Sequence, residues 1–496
     1  MHCFLILGDQ LFPVSSLPLQ EHLPCVVFMA EDRGLCTHFK YHQQKLVFFL
    51  SAMRHYRDAL VLHGAQVHYE TLSDEPFLDR FERFLKQSRI KSVVSYEVSD
   101  RFFEQTLSRF FADRGIAWKR LPSPGFLTTR ERFASYLGSV KKPFMKTFYE
   151  LQRKHFQVLL DQDAEPLGGR WSFDDENRER LPSAISIPET IFTYPSVRDE
   201  ITREVQELVE HEFSDHPGKA SEFWLPVTRS EATQWLARFI TDKLENFGTY
   251  EDALSSRAPF LFHSVLTPFL NSGLLTPQEV IDGVLAAFAK RNLRLASVEG
   301  FVRQVIGWRE FIFGIDRHFG EQQHVLNHFN HQRQLTEHWR LGTTELTPLD
   351  DAIRKALRWG YSHHIERLMV IGNFMVLSEI HPQEAYQWFM EHFIDSADWV
   401  MGPNVFGMGI FSDGGIFATK PYVCGSNYLL KMSDYGKGPW CDIADGLYWS
   451  FIAKHQKTFI KNPRMATMAR AYDRLNPDRK EVLHRAAEAF RARVTR

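Results

Sequence analysis

Short apolar runs alternate with helically spaced apolar positions through the first 135 residues. Cys3 to Leu7 (CFLIL) ends at Gly8-Asp9, and Cys25 to Met29 (CVVFM) ends at Glu31-Asp32. Val67 to Tyr69 and Ser92 to Tyr96 (SVVSY) are two more strand-like runs. Between them, Leu46 to Leu62, Phe77 to Gln87 and Phe102 to Arg114 carry helical spacing. β-rich runs separated by helices predict an α/β domain with a doubly wound parallel sheet over residues 1–135. Polar residues at the carboxyl ends of such strands are where these sheets bind ligands.

From Leu137 to about Pro195 the periodicity is broken by Pro143, Pro166, Gly168, Gly169, Pro182, Pro188 and Pro195. Residues 136–196 therefore read as a long interdomain linker, and connections of that length are often functional. From Val197 onward the pattern is helical with almost no strand signal. Ser230 to Asn246, Thr276 to Arg291, Val298 to Phe313, Leu349 to Trp359, His364 to Glu379 and Pro382 to Phe393 each carry it. Thr276-Pro277 is an N-cap followed by proline at the first helical position. Residues 197–496 are expected to form a large all-helical domain.

Composition adds exclusions. Of 496 residues, 44% are hydrophobic and 24% charged, ordinary for a soluble globular protein and wrong for a disordered or fibrous one. No run of ~18 apolar residues occurs, so no membrane span is expected. The first apolar run lacks a basic segment before it, which argues against a signal peptide. Five cysteines without a CxxC pair exclude a disulfide framework and point to a reducing cytoplasm. From Lys454 to Arg496 there are twelve Lys or Arg against four Asp or Glu, in a chain of formal net charge -2. That basic end suits a polyanion partner, although a solvated helix face has the same composition. Aromatics reach 14%, with 42 Phe and 11 Trp, enough for a large core or a site that stacks flat rings.

Four stretches of the helical half combine polar and aromatic residues beyond what a core needs. In Phe247 to Leu254 (FGTYEDAL) and the following His263-Ser264, Gly248, Thr249, Tyr250 and Ser264 offer hydroxyls and backbone N–H groups of the kind that bind phosphate at helix starts. In Gly300 to Phe311 (GFVRQVIGWREF), Arg303 and Gly307 share a face, with Gln304, Trp308, Arg309 and Glu310 close by. In Tyr361 to Phe374 (YSHHIERLMVIGNF), His363 and His364 cannot both face the core, while His364, Arg367 and Leu368 share one side and Asn373 lies two turns on. In Trp388 to Met408, Asp395 is a candidate partner for Arg367, and Pro403-Asn404 is expected to break the helix and expose backbone groups. Phosphate anchors, an Arg/Asp pair, indoles and a histidine together suit a flat aromatic cofactor with a diphosphate, such as FAD.

These stretches in order, with ILGDQL (6–11), SAMRHY (51–56) and GGRWSFDDENR (168–178), resemble the photolyase/cryptochrome superfamily. The likeness is to its prokaryotic photolyase-related branch, known for (6-4) photolyases and iron–sulfur bacterial cryptochromes, and runs from residue 3 to about residue 490. It implies FAD in the helical domain. Phe247, Gly248, Tyr250, His263, Ser264 and Leu266 would line its diphosphate and adenine side, and Arg309 would belong to the same cofactor set. Arg367 and Asp395 would pair beside the isoalloxazine, with Asn404 near its reactive edge. His364, the second of the His363-His364 pair, matches the histidine at the lesion, and Gln304 a residue that touches it. Trp388 and Trp339 match members of the electron-transfer chain. Gly8, Asp9, Gln10, Leu11 and, more weakly, Glu31 match the pocket of a 6,7-dimethyl-8-ribityllumazine antenna.

Three departures qualify what the resemblance implies. The branch holds a [4Fe–4S] cluster on four helical-domain cysteines, two of them a CxxC after MSDY. Here MSDY is followed by GKGPW, the segment before YSHHIERLM has no Cys, and Cys441 alone lies near a ligand position. One or two thiolates cannot hold such a cluster, so none is expected, and Trp440 in the shortened loop is the candidate replacement staple. Phe389 stands where a relative has a redox-active Tyr. Met401 stands where a relative carries Glu near the flavin.

The resemblance implies a monomeric enzyme that reverts pyrimidine (6-4) pyrimidone photoproducts in UV-damaged DNA. The lesion would be flipped into the pocket and His364 would act as general acid. The adjacent histidines favour this over a cyclobutane-dimer photolyase. A blue-light cryptochrome without repair is the alternative of another class. A nucleic-acid binder that has lost its flavin is disfavoured by the retained Arg367 and Asp395.

Overall fold

The computed structural model describes residues 2–188 and 199–496, so Pro195 and the expected boundary at 196/197 lie outside the described residues. Five strands, β1 (His2–Leu5), β2 (Cys25–Ala30), β3 (Val67–Glu70), β4 (Ser92–Tyr96) and β5 (Ala117–Leu121), form one sheet in the order β3-β2-β1-β4-β5. Every pairing is parallel, from His2 opposite Cys25 and Ser92 to Ser92 opposite Ala117. The strand order reverses at β1, so the ligand crevice of this topology lies beyond the carboxyl ends of β1 and β4.

Alternation sorts the strand residues between two cores. Cys3, Leu5, Val26, Phe28 and Val93 face a phenylalanine layer with Phe81, Phe84 and Phe110. Phe4, Val27 and Val94 face the other way, into a core that continues without a break into the helical half. Phe48, on the helix Gln43–Leu62, meets Phe269 of the helical half at 6.0 Å between ring centroids.

Two elements depart from the sequence-based expectation. Strand β5 (AWKRL) is largely exposed and charged, with Trp118 and Leu121 half-buried at opposite cores and Trp118 4.9 Å from the Phe111 ring. Its apolar pattern is too thin to announce a strand. Within the expected linker, Met145–Phe156 is a helix with Phe148, Tyr149, Gln152 and Arg153 buried on one side. Arg153 then binds the carbonyls of Val158, Leu159 and Trp171, so buried backbone of the Pro- and Gly-rich stretch is satisfied by a side chain.

The helical half follows the predicted periodicity, with an added feature. Arg303–Arg309, Glu366–Gly372 and Pro403–Gly409 are π-helical turns inside longer helices. Such turns cluster at functional sites, and all three fall within motifs singled out above. Two of them touch at glycine: a Cβ on Gly372 would stand 3.1 Å from the Gly409 carbonyl oxygen. Proline therefore does not break the chain at Pro403-Asn404. The helix Asp398–Gly402 runs on into the π turn, and Asn404 Nδ2 donates to the Val400 carbonyl at 2.8 Å. Among the described residues no helix is long and apolar enough to cross a membrane.

Candidate functional site

Arg367 leaves the Glu366–Gly372 turn and meets Asp395 in a fork. Nη1 reaches Oδ1 at 3.0 Å and Nη2 reaches Oδ2 at 3.1 Å. Its Nε donates to the Ser362 carbonyl at 2.7 Å, and Thr267 Oγ1 donates to Asp395 Oδ2 at 2.7 Å. The guanidinium lies 4.0 Å from the Phe393 ring centroid and 5.1 Å from that of Tyr361. Each group of this buried pair is held from at least two sides, which is what keeps a buried ion pair tolerable.

Beside it, three imidazoles converge. His263 stacks on His363 at 4.6 Å and 6°, and His364 stands at 5.4 Å from His263. One ligand-type nitrogen from each lies within 4.8 Å of the others. His263 and His363 are buried, and burial with the nearby charges of His364, Lys243 and Lys355 holds both well below the usual histidine range. His263 Nε2, both His363 nitrogens and Ser362 Oγ have no hydrogen-bond partner. Native interiors rarely leave such atoms unpaired, and a polar ligand would satisfy them.

His364 differs from its neighbour His363, which lies just before the helix that His364 opens. Its side chain is 47% exposed and Nε2 faces Asp252 Oδ1 at 3.4 Å. Partial desolvation opposes its charge, but the Asp252 contact and the Glu251 carboxylate prevail and raise its pKa. Glu251 is buried and receives Gln304 Nε2 at 2.7 Å and Asn177 Nδ2 at 3.0 Å. Burial pushes its carboxyl up to about 7, against the pull of Arg303 and His364. Glu251, Asp252 and Asn177 are residues that the sequence reading missed as chemistry. Their only signal was position, inside FGTYEDAL and DDENR beside the motifs already chosen.

Several expected site residues are committed to the fold. Gly248 follows the short helix Leu244–Phe247 rather than opening one, and its N–H donates to Ser297 Oγ at 3.1 Å. A Cβ there would strike Ser297 Cα at 2.6 Å, so this glycine serves close packing. Phe247 sits edge-on to His263 and Phe301, and Tyr250 lies tilted over Phe262. Ser264 Oγ accepts the Leu266 N–H at 3.4 Å, a local turn in which Leu266 precedes the helix Thr267–Ser272. Arg309 donates to the Gly125 carbonyl at 2.6 Å and to that of Leu270 at 3.3 Å, and its guanidinium lies 4.5 Å from the Phe126 ring centroid. It ties the two halves of the protein together.

The two indoles lie in one line of contacts. Phe393, below Arg367, is 5.8 Å from Trp388, which stacks on His392 at 4.1 Å. Trp388 Nε1 donates to the Trp339 carbonyl at 3.0 Å, and Trp339 Nε1 to that of Val494 at 3.1 Å. Both tryptophans are buried, as are Phe389 and Met401.

At the sheet crevice the expected antenna residues separate. Glu31 is fully occupied by Arg54 (2.7 and 3.1 Å), Tyr69 OH (2.9 Å) and the Leu72 N–H (2.8 Å). Gln10 Nε2 donates to the Glu97 carbonyl, bridging the ends of β1 and β4, and the Leu11 N–H donates to the Ser272 carbonyl. Gly8 and Asp9 remain. Burial raises the Asp9 carboxyl to about 6, partly offset by a hydrogen bond from Ser99.

After the MSDY segment, Trp440 opens the helix Trp440–Lys454 and is 4% exposed, its indole donating to the Gly436 carbonyl at 3.0 Å. Cys424 is buried, with its N–H on Asn373 Oδ1 at 2.9 Å and its thiol on the Met369 carbonyl.

Comparison with known proteins places the chain and its fold. A family profile described as deoxyribodipyrimidine photo-lyase-related protein matches residues 4–225. A (6-4) photolyase of Agrobacterium fabrum is 32% identical over 506 aligned residues, covering 98% of each chain. A bacterial class III photolyase from Agrobacterium tumefaciens has a similar fold, with a TM-score of 0.59 at 15% identity, over 99% of this chain and 97% of that one. A Synechocystis cryptochrome gives 0.57 at 14% identity, over 99% of this chain and 98% of its own.

Proposed function

This chain belongs to the photolyase-related family of the photolyase/cryptochrome superfamily, and from that premise we propose that it is a flavoprotein that repairs the pyrimidine (6-4) pyrimidone photoproduct in UV-damaged DNA under light. The observation that carries the substrate assignment is His364: half exposed, raised in pKa, and backed by Asp252 and the buried Glu251.

The chain's residues fit FAD. Unpaired buried nitrogens and hydroxyls at His263, His363 and Ser362 adjoin a forked Arg367–Asp395 pair, which matches the mixed aromatic and polar character of a flavin dinucleotide. Arg367, Asp395 and Asn404 would hold the ring system, and Phe247, Tyr250, His263, Ser264 and Leu266 the remainder. Bound there, FAD supplies light-driven electron donation.

The protein supplies the proton chemistry. Asp252 favours the charged form of His364 by its contact with Nε2, which would leave Nδ1 to donate to the oxygen that must return between the two bases. Reversion is an isomerisation, so the proton that His364 lends returns to it from the substrate as the oxygen settles on its base, and the buried Glu251 nearby favours the recharged ring. Gln304 and Asn177 fix the Glu251 carboxylate in place. Trp388 and Trp339 would carry electrons that keep the flavin reduced. The basic stretch from Lys454 to Arg496 would neutralise DNA phosphates. Gly8 and Asp9, at the switch point of the sheet, would receive the ribityllumazine antenna.

The test uses duplexes carrying one (6-4) photoproduct or one cyclobutane dimer, with the reduced protein, under blue light and in the dark. Light-dependent loss of the (6-4) lesion alone is expected. Repair of the dimer alone, or of neither, replaces this reading with a dimer photolyase or a photoreceptor. An absorption spectrum of the purified protein reports flavin and lumazine together.

A further inference from the structure

Three lysines are buried among the described residues: Lys45, Lys243 and Lys355. Two are saturated. Lys45 Nζ donates to the Ser396 carbonyl at 2.7 Å and to its hydroxyl at 2.9 Å. Lys355 Nζ meets Glu366 at 2.6 Å, Asp351 at 2.8 Å and the Ser255 carbonyl at 2.7 Å. Lys243 is 0% exposed, and its Nζ has no hydrogen-bond partner. Asp242, the acid beside it in sequence, attracts that ammonium electrostatically but is not hydrogen-bonded to it. A cation out of water without a hydrogen-bonded counter-charge costs several kcal/mol, and a ligand that supplies one removes that cost.

Its position says which ligand. Lys243 is the residue between the helices Arg229–Asp242 and Leu244–Phe247, and its backbone is locked there. Its N–H donates to the Phe239 carbonyl at 3.0 Å, and its own carbonyl accepts from the Asn246 N–H at 3.0 Å. Phe247 closes the short helix that Lys243 precedes, and the Phe247 ring meets His263 edge-on at 5.9 Å. The charge of Lys243 is felt at His263, next to Ser264. The lysine thus stands at the segments proposed above for the non-flavin half of the dinucleotide. Gly248 donates its N–H to Ser297 Oγ, which leaves the anion without that donor.

We propose that Lys243 is the counter-charge of the cofactor's diphosphate, a binding residue that the family motifs did not single out. This rests on the flavin reading above. It makes the side chain a liability in the cofactor-free protein and an anchor in the loaded one, a pairing of opposite effects that a packing lysine would not produce.

The experiment measures two quantities in Lys243→Met, Lys243→Arg and the wild type: the melting temperature of the cofactor-stripped protein, and the affinities for FAD, for riboflavin and for inorganic pyrophosphate. Lys243→Met is expected to melt higher than wild type when stripped, and to lose about 10- to 100-fold in FAD affinity, the range for one hydrogen bond to a charged group. Riboflavin, which has no phosphate, should bind the two equally, and Lys243→Arg should recover most of the FAD affinity. A folded Lys243→Met protein that binds FAD within about two-fold of wild type, or that melts lower when stripped, overturns the assignment. If wild type binds neither flavin, the flavin reading fails. Pyrophosphate then decides the lysine separately: protection of wild type but not of Lys243→Met keeps the anion site, and equal or no protection removes it.

Discussion

His364 Nε2 stands 3.4 Å from Asp252 Oδ1, and that contact opposes the desolvation that would otherwise discharge the ring. Because the folded-state pKa of His364 is raised, the stabilisation that this contact gives the charged ring is fully present below the unfolded value of about 6.5. It is lost as pH rises through the folded value. Repair that needs the charged ring must follow the same limb. Asp252→Asn is therefore expected to move the alkaline fall of repair to lower pH, with flavin content unchanged. A pH–rate profile of single-turnover repair measures it, and an unmoved limb would separate Asp252 from the proton donor.

Arg367→Ala leaves Asp395 buried with Thr267 as its remaining side-chain partner. Breaking a buried pair in this way costs about 3–5 kcal/mol. Both a lower melting temperature and loss of FAD on gel filtration are expected. Flavin content equal to wild type would take the pair out of the cofactor site.

Much of this arrangement was legible beforehand, for reasons particular residues make plain. Alternation in CFLIL and CVVFM announces buried parallel strands because both faces of the sheet are covered, and i, i+3, i+4 spacing put His364 and Arg367 on one side of a helix. The edge strand AWKRL was illegible because three of its five residues are exposed and two of those are charged. The π turns were also hidden, since an i to i+5 turn set inside a longer helix has no capping or compositional signal of its own. Hydrogen-bond expenditure was least visible of all. Nothing in the letters says that Glu31 is consumed by Arg54, Tyr69 and Leu72, or that the Gly248 N–H goes to Ser297. Glu251 escaped notice because its chemistry comes from burial, which sequence spacing does not report.

The loop with Trp440 is expected to replace a metal staple. Its indole is buried and hydrogen-bonded to Gly436, and Trp440→Ala should cost roughly 3–5 kcal/mol in denaturant unfolding, the usual range for a buried Trp. Iron and acid-labile sulfide should be absent from anaerobically purified protein. About one cluster per chain would contradict this.

The most direct measurement is repair of a (6-4) photoproduct duplex by wild type and by His364→Ala, each with its bound FAD reduced and illuminated with blue light. The account predicts light-dependent reversion by wild type and none by His364→Ala, while flavin content and photoreduction of the variant stay at wild-type level. Reversion by His364→Ala at the wild-type rate, or no reversion by flavin-loaded wild type, would contradict it.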